Sequence, residues 1–266
     1  MKKTSSESLI CKICGSRHTV RDGVIKGVQR WKCKTCGRKF LNNGALHGYK
    51  TAAVQVMSAL SLYYKGLSYN TIRKQIQIEF NSTISRSTIY RWTQRAPQNY
   101  MNAVKYFHPR VGNSWIADES ASNICGKQVW IQDILDRDTG FILASQVAMN
   151  HDIKDVQLLM EKAARKAGKM PEVVISNTLA VYLGKIELTA NVNAGYKQLH
   201  PLIVEEKSTF ELENFHAILQ ERTNLMIALK SLDRVVEFTN GWLIQHNYFD
   251  TQESLGDKTP AEVLGH

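Results

Sequence analysis

Four of the five cysteines, Cys11, Cys14, Cys33 and Cys36, form two Cys-x2-Cys pairs with eighteen residues between them. Each pair sets two thiolates on one tight knuckle, and two knuckles complete a tetrahedral sulfur cage for Zn²⁺. Gly15 and Gly37 follow the second cysteine of each pair, where the turn needs a residue tolerant of positive φ. Two disulfides are the alternative. They suit a secreted domain, whereas Met1–Ser5 is basic with no apolar stretch behind it, and the rest of the chain is poor in cysteine. His18 is a further metal-type side chain, but four thiolates already fill the shell. A segment of about 40 residues buries too little surface to fold alone, so the metal is expected to hold residues 8–42 together as a zinc ribbon.

A second chemistry needs carboxylates. Asp118 ends the apolar run Trp-Ile-Ala-Asp-Glu, and Glu213 lies on a segment that reads as a helix from Phe210. In phosphoryl transfer, divalent ions activate the attacking oxygen and stabilise the leaving one, and hard oxygen ligands from several elements hold them. Either carboxylate alone would read as a solvated surface group. Cys125 reads as an ordinary small residue, and neither a Ser-His-Asp order nor a phosphate-cradling Gly loop occurs.

The elements that must position these groups fall into two halves of opposite charge. Residues 1–110 carry 20 Lys/Arg against 3 Asp/Glu, and residues 111–266 carry 14 against 21. The basic half suits a polyanion; a plain solvated surface is the bland alternative. Lys32, Lys34, Arg38 and Lys39 surround the second knuckle, where they can meet phosphates. Residues 50–98 read as three helices. Ala52–Tyr64 has Val54, Met57, Leu60 and Tyr64 at helical spacing; Ser68 caps a helix running to about Phe80; Ser85 caps a third, Arg86–Arg95, that closes before Pro97. With Ile89 and Trp92 inward, Arg86, Ser87, Thr88, Arg91 and Arg95 remain outside for DNA, as in a helix-turn-helix. An ordinary three-helix bundle with a basic face is the alternative.

Residues 110–266 read as three strands, Ser114–Asp118, Gln128–Asp136 and Phe141–Val147, then the amphipathic helix His151–Gly168 with Val156, Leu159, Met160 and Ala163 inward, a strand Val173–Ser176, and helices over about Phe210–Ser231 and Leu232–Asn247. A meander followed by helix, strand and helices is an α/β mixed-sheet domain of the RNase H-like type.

Nearly the whole chain resembles the DDE transposases of bacterial and archaeal insertion sequences. Trp115–Glu119 is similar to the segment carrying their first Asp, and Asp136–Phe141 to the turn that follows. Val174–Tyr182 is similar to the segment carrying the second, and Glu213-Asn214-Phe215-His216 with Glu221-Arg222-Thr223 to the segment of the final Glu. The 35 residues between Asn177 and Glu213 and the tail Leu255–Val263 also fit. The resemblance implies Asp118, Asn177 and Glu213 as the catalytic positions, with Asp118 and Glu213 holding Mg²⁺ or Mn²⁺. It further implies double-stranded DNA at element ends as the substrate, and a homodimer or larger assembly.

The match departs where it matters for catalysis. Asn177 stands where the family has its second Asp, and an amide oxygen lacks the charge that helps hold two divalent cations. Lys207–Leu212 lacks the family's Asn-Asn, and Asp250-Thr251-Gln252 its Arg-Pro-His. Three departures around one site read as a decayed nuclease centre. Glu119, Asp133 and Asp136 are the carboxylates that can replace the missing one, but alternation along the strand is expected to deny Asp133 the geometry, and Asp136 lies at its end. Two functions compete: a transposase weakened by Asn177, and a catalytically silent, transposase-derived DNA-binding regulator or architectural protein. A zinc-ribbon transcription factor unrelated to transposases would leave the carboxylate spacing and the tail unexplained. No run of roughly 18 apolar residues suggests a membrane span, and a cytoplasmic or nucleoid location is expected.

Overall fold

A computed structural model describes residues 9–11, 13–25, 27–42, 51–104, 107–124, 126–149, 152–176, 203–205, 217, 220–225, 229 and 231–266. Two units divide the chain: residues 1–63 with 67–92, and residues 64–66 with 93–266. In the first unit, β1 (Thr19–Ile25), β2 (Val28–Cys33) and β3 (Lys39–Leu41) make an antiparallel sheet in that order. Helices α1 (Ala53–Tyr64) and α2 (Tyr69–Phe80) follow, and α3 (Arg86–Ala103) crosses the boundary between the units. Ser68 and Ser85 cap α2 and α3 as expected, each accepting a backbone N–H three residues on at 3.2 Å.

Two expectations for these helices are corrected. The buried face of α1 carries Val56 and Ala59; of the expected stripe Tyr64 is buried and Leu60 packs on the core, whereas Val54 and Met57 are exposed. Its sequence is apolar nearly all round, so periodicity allowed two stripes, and packing against Ile72, Ile76, Ile89 and Trp92 selected one. Helix α3 does not close before Pro97 but continues through it to Ala103. A proline inside a helix costs about 3 kcal/mol. Burial of the extension offsets that cost: Tyr100 packs on Tyr248 and Phe249, and Val104 enters the core of the second unit. The half-buried Lys166 ammonium then donates to the carbonyls of Val104 and Phe107 (3.2 and 2.9 Å) just beyond the end of α3.

The second unit is a mixed α/β fold. Strands β4 (Ser114–Ile124), β5 (Lys127–Asp136) and β6 (Ile142–Ala148) form the antiparallel meander, and α4 (Ile153–Ala167) leads to β7 (Val173–Ile175). With β8 (Ile203–Glu205) the sheet order is β6-β5-β4-β7-β8, and β4, β7 and β8 run parallel. The order through β7 matches the sequence reading, but β8 lies in a stretch read as loop, most of the helix expected over 210–231 lies outside the described residues, and β4 runs six residues farther than Asp118. Its end, Ser-Ala-Ser-Asn, has no apolar alternation; the hairpin through Gly126 (φ +73°) extends the pairing to Ile124↔Lys127.

Alternation gives the sheet two chemically distinct faces. Trp115 and Ala117 of β4 share a core with Val156, Leu159, Met160 and Ala163 of α4, the four residues expected to point inward. Asp118 and Ser120 belong to the opposite face, where residues 220–225 are helical and Thr223 bonds Ser120 (3.1 Å). Helix α5 (Leu232–Tyr248) docks on β6, the edge strand. The buried Asn247 amide accepts from the backbone N–H of Ile142 (2.8 Å) and donates to its carbonyl (2.9 Å), pairing the edge as a strand would. A short helix α6 (Pro260–Val263), with a capping box from Thr259 and Glu262, buries Ala261 in the core.

Asp136 is fully buried at the end of β5 and holds the turn to β6. It accepts from Gly112 N (2.8 Å), Thr139 N (3.1 Å) and Thr139 Oγ1 (2.7 Å). Asp136→Ala should therefore orphan buried donors and lower the unfolding free energy by about 2–4 kcal/mol in urea denaturation. A loss under about 1 kcal/mol would show that the turn is held by other contacts.

Candidate functional site

The cysteines expected to form a cage do converge. Their four Sγ atoms lie within 4.8 Å of one another, with Cys11–Cys36 at 3.8 Å and Cys14–Cys33 at 3.7 Å. A tetrahedron built on Zn–S bonds of 2.3 Å has edges of about 3.8 Å, so the arrangement fits zinc. Disulfides would bring paired sulfurs far closer, to about 2.05 Å. Both knuckles turn through glycine at positive φ, Gly15 at +72° and Gly37 at +71°, whose N–H groups return to the carbonyls of Cys11 and Cys33.

The Cys33 and Cys14 thiols sit in unlike electrostatic surroundings. The Cys36 backbone N–H, opposed by desolvation and aided by the Thr35 N–H, brings the Cys33 thiol down to about 6. Against the pull of the Ser16 backbone N–H, desolvation and the neighbouring sulfurs push Cys14 up to about 12. A cation among four sulfurs this close would offset the repulsion between thiolates. His18 is exposed and lies outside the sulfur group.

Around the second knuckle, Lys34, Arg38 and Lys39 are exposed and Lys32 is half-buried on β2. Asp22 contacts Lys39 (3.0 Å) and Arg30 (2.8 Å), and these cations, Lys39 first, hold its carboxyl below the usual range. On α3, Arg86, Ser87, Arg91 and Arg95 are exposed, and Thr88 is half-buried. Thr88 shares a hydrogen bond with Ser85 (2.9 Å), and Arg91 lies back along its own helix onto Ser87 O (3.2 Å) and Thr88 Oγ1 (3.3 Å). The sequence reading missed Tyr90, exposed beside Arg91 and set edge-on against Tyr69.

Asp118 is buried on β4, 7% exposed, and one of its oxygens accepts the Glu119 N–H at 2.8 Å. Asn177 and Glu213 lie outside the described residues. The register nevertheless relates β7 to Asp118: Ile175, two residues before Asn177, pairs with Ile116, two residues before Asp118.

Each carboxylate considered as a replacement has a definite place. Glu119 faces α4, where Gln132 donates to it (2.7 Å) and Gln146 links Gln132 (2.8 Å) to the Asp155 carbonyl (2.7 Å). Asp136 is occupied by its turn. Asp133 corrects the expectation from alternation, because β4 and β5 pair it directly with Asp118, on the same face. Both of its oxygens are taken by Arg222, at 2.9 and 2.5 Å, and both residues are buried. Arg222 also lies 5.1 Å over Trp242, whose ring stacks on His246, and His246 Nε2 is 3.0 Å from the Gly140 carbonyl. Burial pushes the His246 imidazole pKa down, against the Gly140 bond, so the ring favours its neutral form. The Asp133–Arg222 pairing had no local signal; it exists only once the strand register is known.

No family model matches the chain, and no curated protein matches it. Solved structures similar to it include the HTLV-2 integrase catalytic core domain in complex with magnesium, in dimeric and trimeric forms. Each is 13% identical with a TM-score of 0.43, covering 60% of this chain and 99% of that one. Another is the simian T-cell lymphotropic virus intasome in complex with PP2A regulatory subunit B56 gamma, at 10% identity and a TM-score of 0.43, covering 79% and 75%. At such values the description of the fold rests on strand order and register. Among the described residues, no helix is long and apolar enough to cross a membrane.

The purified chain should carry one zinc, and chelation should remove amide-exchange protection from β1–β3 while leaving β4–β6 protected. Disulfides found by mass spectrometry in chain prepared without air would remove the metal reading.

Proposed function

We propose that the chain is an insertion-sequence DDE transposase in architecture, silenced or weakened at the second acidic position. Residues 8–42 are the zinc ribbon, 50–98 the helix-turn-helix and 110–266 the RNase H-like domain. The observation that carries this reading is the placement of Asp118, buried on the strand paired in parallel with the one that leads to Asn177. Asp118 and Glu213 would hold the divalent ions, Mg²⁺ or Mn²⁺, with Asn177 as a neutral third ligand. When bound, such ions activate the attacking oxygen and stabilise the leaving oxygen of a phosphodiester.

The chain's own contributions follow from its chemistry. Asp118 supplies a fixed anionic oxygen whose bond from the Glu119 N–H restricts its rotamer. Asn177 supplies an amide oxygen without charge, so cations are held less tightly there. Lys32, Lys34, Arg38 and Lys39 of the ribbon, with Arg86, Ser87, Thr88, Arg91 and Arg95 of α3, would bind the duplex of an element end. Joining two ends requires at least two copies, hence a homodimer or larger assembly. Asn177 favours a second reading, a transposase-derived regulator or architectural protein that binds the ends and does not cut them.

Two measurements test the proposal. Replacing Arg86, Arg91 and Arg95 together by alanine should weaken duplex binding at least tenfold and flatten its dependence on log salt, by about one unit per lost phosphate contact. Unchanged binding would remove α3 from the interface. Metal-dependent cleavage and joining of end-bearing DNA should be absent or weak in this chain and appear in Asn177→Asp. Equal cutting by both would show that the amide suffices. Binding without cutting in either would leave the regulator.

A further inference from the structure

The ribbon sheet carries charge in an order that folding alone does not call for. The register opposes Lys32 to Lys39 across β2 and β3, and Arg30 stands two residues before Lys32, on the same face. Like charges directly opposed on neighbouring strands destabilise a sheet. Asp22 joins this row from β1: its Oδ2 lies 2.8 Å from Arg30 Nε and 3.0 Å from Lys39 Nζ. The ladder between β1 and β2 is interrupted between Arg21 and Val24, so Asp22 and Gly23 sit in a bulge, a device that re-aims side chains.

Two features indicate that the carboxylate acts through its charge and not as a brace. The Arg30 Nε–H is directed at the Asp22 backbone carbonyl (2.8 Å), an acceptor that stays whatever side chain stands at position 22. The three side chains are also open to water, Asp22 at 25%, Arg30 at 34% and Lys39 at 50%, and ion pairs so exposed contribute little to folding. The same exposure leaves the row within reach of a polyanion. Two cations converging on one carboxylate oxygen make a seat that suits a phosphate oxygen equally well.

We infer that Arg30, Lys32 and Lys39 form one face that contacts the phosphate backbone of duplex DNA, and that Asp22 is a built-in competitor for two of its cations. The inference rests on the reading of the ribbon as a DNA contact and adds Arg30 and Asp22 to it. A phosphate entering the seat exchanges with a carboxylate, so part of its attraction is offset. The face then binds backbone less tightly, and with a shallower salt dependence, than its cations alone would give. Backbone contacts carry no sequence information, so Asp22 holds down the sequence-independent part of binding.

The test is fluorescence anisotropy of a short duplex of arbitrary sequence, titrated over a salt series with the full-length, zinc-loaded chain. Asp22→Asn should tighten binding on the order of fivefold at low salt and steepen its dependence on log salt by about one. Arg30→Gln should weaken binding and flatten that dependence by about one, and the double variant should return near the parent. Zinc content and amide protection of β1–β3 should stay at the parent's level throughout. Weaker or unchanged binding in Asp22→Asn overturns the inference, since a residue that only braces the sheet behaves in that way. Where Asp22→Asn fails to take up zinc, Arg30→Gln decides: a shallower salt dependence supports the face, and an unchanged one overturns it. Lys34→Gln/Arg38→Gln, at the knuckle, separates the two readings. Weaker binding there, with no response to Asp22→Asn or Arg30→Gln, overturns this inference alone. No response in any of the variants overturns the ribbon as a DNA contact.

Discussion

Charge buried at the middle of the sheet is the constraint around which the second unit is arranged. A carboxylate in a poorly solvated site needs a partner or hydrogen bonds, and β4 and β5 place two of them opposite each other. The fold answers with one fully buried arginine, supplied by the helical segment at residues 220–225. Breaking such a pair typically costs about 3–5 kcal/mol, so the segment is pinned to the sheet by charge as much as by apolar contact. Trp242 then has a cation to cover, His246 has a ring to stack on, and the Gly140 carbonyl has a partner. The turn, the edge strand and α5 are thereby connected to the sheet centre through a continuous set of contacts.

The same logic separates the two faces. On the α4 side, Glu119 sits at the end of the apolar core and is satisfied by a chain of amides, Gln132 and Gln146, that ends on helix backbone. On the opposite side the polar residues are Asp118, Ser120, Asp133 and Ser145, with Arg222 and Thr223 bonded among them. Adjacent residues Asp118 and Glu119 thus belong to different environments because a strand has period two. On β5, the first is paired with a carboxylate, Asp133, and the second with an amide, Gln132.

Much of the fold was legible because apolar pattern and turn chemistry agreed. Strands at Gln128–Asp136 and Val173–Ser176, the inward face of α4, and the serine caps at Ser68 and Ser85 needed no tertiary information. The misreadings have a common cause. In α1, apolar residues surround the helix and only packing selects the Val56 and Ala59 face; at Pro97 a local penalty is outweighed by the contacts of Tyr100 and Val104; beyond Asp118 the polar end of β4 is a strand because β5 pairs with it. The site divides similarly. Cysteine spacing announced the sulfur cage, since a knuckle is a local structure. Asp133 lay fifteen residues from Asp118 with no local reason to meet it, and the fitting of strand against strand was the missing information.

That register also bears on what the loss of one acid would do. In a site with carboxylates to spare, an amide at the second position could be offset by a neighbour. Here the neighbours are committed: Asp136 holds a turn, Glu119 faces the other layer, and Asp133 is neutralised by Arg222. Asp118, buried on β4, is the remaining carboxylate of that face among the described residues. Hard divalent cations depend on ligand charge as well as on ligand number, and two of them near one another depend on it most. Under the proposed function, an amide at position 177 would remove a charge that Asp133, Asp136 and Glu119, held by these partners, do not restore. On the same proposed function, loss of cutting with retention of DNA binding is the expected outcome, because the residues proposed to bind the duplex are separate in sequence from Asp118.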